Sequence, residues 1–148
     1  MTKKKWIGLI LLLLLVGIQF IRIDKGSPEF DNTKDLIALE NPPIKVENLL
    51  KEACYDCHSY ESKYPWYTNV APVSWWIKRH INIGRKSLNF SLWGTYSAKK
   101  KAHKIEENIE FVEEGWMPIG TYKLMHPKGR ISDEERKLLT DWFKTLEH

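Results

Sequence analysis

KEACYDCHSYESKYPWY, Lys51 to Tyr67, decides how this chain is read. Cys54 and Cys57 stand three apart and His58 follows at once; the 148-residue chain has 2 cysteines, and these are they. On one helical turn, residues three apart share a face. Two thiols so placed can each add to a vinyl group along one edge of a porphyrin, with the adjoining imidazole under the iron. Cys-x-x-Cys-His is the attachment spacing of c-type haem. Cys54 and Cys57 are therefore the expected thioether positions for one covalent haem, and His58 the expected proximal iron ligand. The other ring nitrogen of His58 then needs an acceptor to hold the ring.

Three other chemistries compete for the same residues. A thiol–disulfide redox pair normally follows a strand in an α/β fold, and no stretch here alternates as a strand. A zinc site wants four ligands in paired clusters, and only this cluster exists. A structural disulfide fits an exported chain but makes no use of His58.

A low-spin haem iron takes a second axial ligand, for which the candidates are Met117, Met125, His80, His103 and His126. Met117 stands in EEGWMPIG, between the helix stop Gly115 and Pro118, in a short loop that can present a thioether to a metal. Met125, in KLMHP, has the same chemistry beside His126 and Pro127. His80 falls on the apolar side of a helix, and His103 lies among lysines. Met117 is the expected sixth ligand.

Outward from the motif, hydrophobic spacing predicts an all-α domain. A first helix runs over about Lys45 to Cys57, with Val46, Leu49, Leu50 and Ala53 inward. A second starts near Pro72 and runs to about Gly84. A third runs from Ser97 to about Glu114, with Ala102, Ile105, Ile109 and Val112 inward and Gly115 as its stop. The last starts at Ser132, where Ser132 and Glu135 make a capping box, and turns Leu138, Leu139, Trp142, Phe143 and Leu146 inward. Trp76 is expected in the core on the face of Ile77 and His80.

The N-terminal run Trp6 to Ile21 carries one polar residue, Gln19, and three lysines precede it. About 24 Å of helix, extended by Ile23 and the stems of Lys5 and Arg22, approaches a ~30 Å hydrocarbon core. A cleaved signal peptide is the alternative, but small-residue cleavage spacing is missing. The expected organisation is a membrane anchor at 1–23, a linker at 24–43 and the haem domain at 44–148. The location follows: a single pass of the cytoplasmic membrane with the C-terminal domain on the periplasmic side. The net charge of +4, from 23 basic and 19 acidic residues, is too mild and too mixed for nucleic-acid binding.

The block from Cys54 through YPWYTNVAPVSWW, with EEGWMP and MHPKGRISDEERKLLTDW, resembles the haem-binding-domain family of membrane-anchored bacterial c-type cytochromes. The resemblance covers about Ile44 to Phe143 and implies a small cytochrome c-like helical domain. It implies that the carbonyl of Pro72, fourteen residues after His58, orients the proximal ring, and it maps the Met-Pro of cytochromes onto Met117-Pro118. The Trp-rich block departs from the ordinary small-cytochrome pattern; at least one of Trp66, Trp75 and Trp93 is expected near the porphyrin.

Three functions then stand: one-electron transfer with an unnamed redox partner, a haem-based sensor with an exchangeable sixth site, and a peroxidase-like enzyme. The sequence shows no catalytic residue set beyond the haem ligands, which favours a carrier over an enzyme.

Overall fold

The computed structural model describes residues 2–147, and no strand occurs among them. The long helices are α1 (Lys3–Gly17), α3 (Ile44–Ala53), α5 (Val73–Ser87), α6 (Ala98–Glu113) and α8 (Asp133–Lys144); the short ones are α2 (Leu36–Glu40), α4 (Tyr55–His58) and α7 (Gly120–Met125). Short helical segments at Trp66–Asn69, Phe90–Thr95 and Pro127–Gly129 lie between them.

Local chemistry accounts for the ends. Ser132 Oγ accepts from Glu135 N at 3.2 Å while Glu135 Oε2 accepts from Ser132 N at 2.7 Å, a closed capping box. Asp133, Glu134 and Glu135 fill the first turn of α8 and Lys144 its last, as the helix dipole favours. Ser97 caps α6 through Lys100 N, and Gly115, at φ 74, ends it where a side chain would be strained.

The charge order of α6 opposes its dipole, and side chains offset it. Lys100 sits 3.6 Å above the Tyr96 ring and Lys101 5.4 Å above Trp93. At the far end Glu113 pairs with Lys144 at 2.6 Å. Two of the lysines are thus used within the fold.

Apolar stripes of α3, α6 and α8 meet in one core: Val46 and Leu50, Ile105 and Val112, Leu139 and Phe143. Leu138, expected inward, is 39% exposed on the shoulder of that stripe. Residues 24–43, read as a linker, contribute α2, and Leu36 is wholly buried. Asp35 holds it there: Oδ1 accepts from Ile37 N and from the buried Tyr55 hydroxyl at 2.6 Å. Glu40 Oε1 likewise accepts from Trp93 Nε1 at 2.6 Å.

Aromatic placement differs from expectation. Trp76 is 44% exposed and packs tilted against His80, ring centroids 4.0 Å apart. The core tryptophans are Trp142 of α8 and Trp93, the latter fully buried in the segment after α5. Trp93→Ala should therefore cost roughly 3–5 kcal/mol in denaturant unfolding, and Trp76→Ala much less. Equal losses would contradict this packing.

The transmembrane anchor expected at 1–23 is corrected. No helix among the described residues is long and apolar enough to cross a membrane. α1 has 15 residues, about 22 Å against a core of about 30 Å. Past Gly17 the run tightens into a single turn, and its one polar residue is spent on the domain. Gln19 Nε2 donates to Ala71 O and Gln19 Oε1 accepts from Ala71 N, both at 3.0 Å. Arg22 donates to Asn69 O, and Trp75 Nε1 to Ile21 O at 3.0 Å. The single-pass membrane location inferred from that anchor falls with it.

Candidate functional site

α3 stops at Ala53 because Cys54 leaves helical geometry, at φ −124. One fresh turn follows, closed by Cys57 N to Cys54 O at 3.2 Å and His58 N to the same oxygen at 2.9 Å. Cys54 and Cys57 thereby face the same side and His58 follows in register. The turn is clamped from around. Ser59 Oγ donates to Tyr55 O, and Arg85 Nε donates to Ser59 O at 2.7 Å. Asp56 accepts from Lys63 N at 2.9 Å and from the Tyr122 hydroxyl at 2.8 Å.

Gly84 lets α5 lie directly against this turn. A Cβ there would sit 2.5 Å from the carbonyl oxygen of Cys57, an impossible contact with backbone. The helix runs three residues beyond this glycine, the end expected from sequence. A glycine inside a helical pattern signals close approach as well as a stop.

The carbonyl that meets His58 is that of Leu88, 3.2 Å from Nδ1. A carbonyl only accepts, so Nδ1 carries the hydrogen and Nε2 keeps its lone pair. Burial lowers the His58 pKa and keeps the ring neutral, which a metal ligand requires. Pro72, expected in the orienting role, is otherwise engaged: its carbonyl accepts from the amides of Trp75 and Trp76 in the first turn of α5. No sequence signal marks a backbone acceptor thirty residues away.

Cys54 and Cys57 are both free thiols. Burial pushes Cys54 up to about 12 and Cys57 up to about 11, the latter helped by the neighbouring Asp56 carboxylate. Such thiols stay protonated at neutral pH, unlike the low-pKa cysteines of disulfide oxidoreductases. Among the described residues no group of three or more His, Cys, Asp or Glu is placed to hold a metal ion.

Cys54, Cys57, His58 and Met117 line one cavity of about 200 Å³, walled by α5, Phe111 and Val112 of α6, and Phe143. Met117 is folded back over the last turn of α6, its amide donating to Phe111 O at 3.0 Å. Arg136 donates to the carbonyls of both Val112 and Met117 and fastens that loop to α8.

A second cavity of about 310 Å³ adjoins it along Cys57, His80, Ile119 and Tyr122. Met125 lines only this second space and is 50% exposed. His126 is locked there: it stacks on Tyr122 at 3.9 Å and its Nε2 lies 2.9 Å from the Tyr67 hydroxyl. His80 lines both cavities, its Nδ1 2.9 Å from Trp76 O. His103 pairs with Glu107 and is mostly exposed. None of Trp66, Trp75 and Trp93 borders the cavity of Cys54 and His58.

Residues 13–145 match the haem-binding domain family. Cytochrome c peroxidase Ccp of Escherichia coli (strain K12) is 28% identical over 132 residues, which is 86% of this chain and 28% of that protein. The chain thus spans under a third of the length of the curated relative it matches. No solved structure matches it.

Proposed function

The chain belongs to the haem-binding domain family, and from that premise we propose that it is a monohaem c-type cytochrome that carries single electrons. Cys54 and Cys57 would hold the haem through thioether links, and His58 Nε2 and Met117 Sδ would ligate its iron. The proposed haem domain is 44–148, with residues 24–43 packed against it through Leu36.

One observation carries the reading: two protonated thiols, a neutral imidazole with Nε2 free and a thioether line a single apolar cavity. That donor set suits a haem better than any bare cation, because thioether and imidazole are neutral ligands to a ring-bound iron. When bound, the haem supplies a one-electron iron couple. The residues of this chain do the rest. Leu88 O holds the imidazole against rotation, and the Arg136 clamp holds the methionine loop. Phe111, Val112 and Phe143 exclude water, so little rearranges when the charge changes.

The electronic spectrum of the purified, haem-loaded chain tests this. A low-spin ferric spectrum with the weak far-red methionine-to-iron band is expected. A high-spin spectrum that shifts readily with carbon monoxide would reject the carrier reading.

The second reading, an exchangeable sixth site for ligand sensing, draws on His80. Its ring borders the same cavity and could take the position of Met117. Peroxidase chemistry, named by the relative, also requires the sixth position to open.

A further inference from the structure

Asn108 stands on the inner face of α6, one turn before Phe111 and Val112, and lines the cavity of Cys54, His58 and Met117. Its Nδ2 is buried and has no hydrogen-bond partner among the described residues. A buried donor left unmade bears the full cost of its lost hydration. Three neighbouring polar groups on this wall are engaged. The Tyr122 hydroxyl donates to Asp56 and Glu52 O, His58 meets Leu88 O, and Glu107 binds Lys104 and His103. The unmatched donor therefore calls for an acceptor that arrives with the occupied site.

We infer that Asn108 is a positioning residue for Met117: its Nδ2–H donates to the thioether sulfur and fixes which sulfur lone pair faces the iron. This rests on the ligand assignment proposed above. The backbone supports it. Met117 N is bonded to Phe111 O, so the methionine starts over the last turn of α6. Asn108 lies three residues before Phe111, about 4.5 Å back along the axis, so the Asn108 and Met117 side chains can reach toward each other across the cavity they both line. The sulfur, a weak acceptor with two lone pairs, can serve donor and metal together. A haem carboxylate is the rival acceptor, and the test below separates it from the sulfur.

Proton NMR of the oxidised, haem-loaded full chain tests the inference. Asn108→Leu should rearrange the hyperfine-shifted haem methyl and Met117 methyl signals, because the sulfur lone pair turns. It should also ease displacement of Met117 by imidazole about fivefold, the worth of one ordinary hydrogen bond. Asn108→Gln, which restores a carboxamide, should recover much of both. Unchanged methyl signals and imidazole affinity in Asn108→Leu overturn the inference. So does a change confined to the titration of a haem carboxylate, which would assign the donor to that group. If Asn108→Leu fails to hold haem, the wild type decides: side-chain amide protons of Asn108 that are hyperfine-shifted and slow to exchange support the bond, and ordinary ones overturn it. A wild type with no methionine hyperfine signal strikes the Met117 assignment itself, a separate result.

Discussion

Cys54→Ala with Cys57→Ala releases the haem from the chain. The expected result is complete loss of haem stain on a denaturing gel, and a mass equal to the bare polypeptide. The argument is one of inventory: with 2 cysteines in the sequence, no third thiol can substitute. Each single variant keeps one thioether and should keep its stain, so the double variant alone goes to zero. Native protein should still take up haem through His58 and Met117, now extractable by acidified acetone, because the cavity walls from α5, α6 and α8 do not depend on the thiols. Wild-type protein that gives up its haem to the same solvent would sink covalent attachment and leave only haem binding.

The parts of this fold that could be read in sequence are those set by neighbours within four residues. The Ser132–Glu135 box, the Ser97 cap, the Gly115 stop and the Cys54–Cys57 turn are all of that kind. What escaped was set by partners far along the chain. Leu36 is a core residue because Asp35 bonds Tyr55, twenty positions on; its own surroundings read as polar spacer. Gln19 looked like a single polar interruption in an apolar run, and hydropathy cannot see that Ala71 is its partner. Trp76 obeyed a helical stripe and still lies at the surface, while Trp93 belongs to a turn with no period and fills the core. In the site, residue type and spacing single out Cys54, Cys57, His58 and Met117, and the structure gathers these four on one cavity. The Leu88 carbonyl was not legible, since every residue offers the same backbone oxygen. Asn108 was hidden for another reason: only its lack of a partner in three dimensions distinguishes it from a solvated helix residue.

Met117→Ala removes the far-red methionine-to-iron band, lowers the reduction potential and opens the iron to carbon monoxide, while Met125→Ala leaves all three close to wild type. The contrast rests on position, since the two side chains have identical chemistry. Met117 borders the cavity that holds Cys54, Cys57 and His58, and its loop is tied down by Phe111 O and Arg136. Met125 ends α7, half exposed, across the Tyr122 wall in the neighbouring cavity. Thioether ligation favours ferrous iron, so its loss moves the potential downward, by part of the roughly 0.8 V over which axial ligands set haem potentials. His80 makes the outcome more informative. Its ring borders the same cavity, and in Met117→Ala it is the nearest imidazole that α5 can offer. A Met117→Ala protein that stays low-spin without the far-red band, and turns high-spin only when His80→Ala is added, would show histidine taking the vacated position. A band that persists in Met117→Ala and vanishes in Met125→Ala would instead require α7 to carry Met125 past Tyr122 into the first cavity. Tyr122 is held beside the attachment turn by its hydrogen bond to Asp56, so that outcome would place the rearrangement in α7.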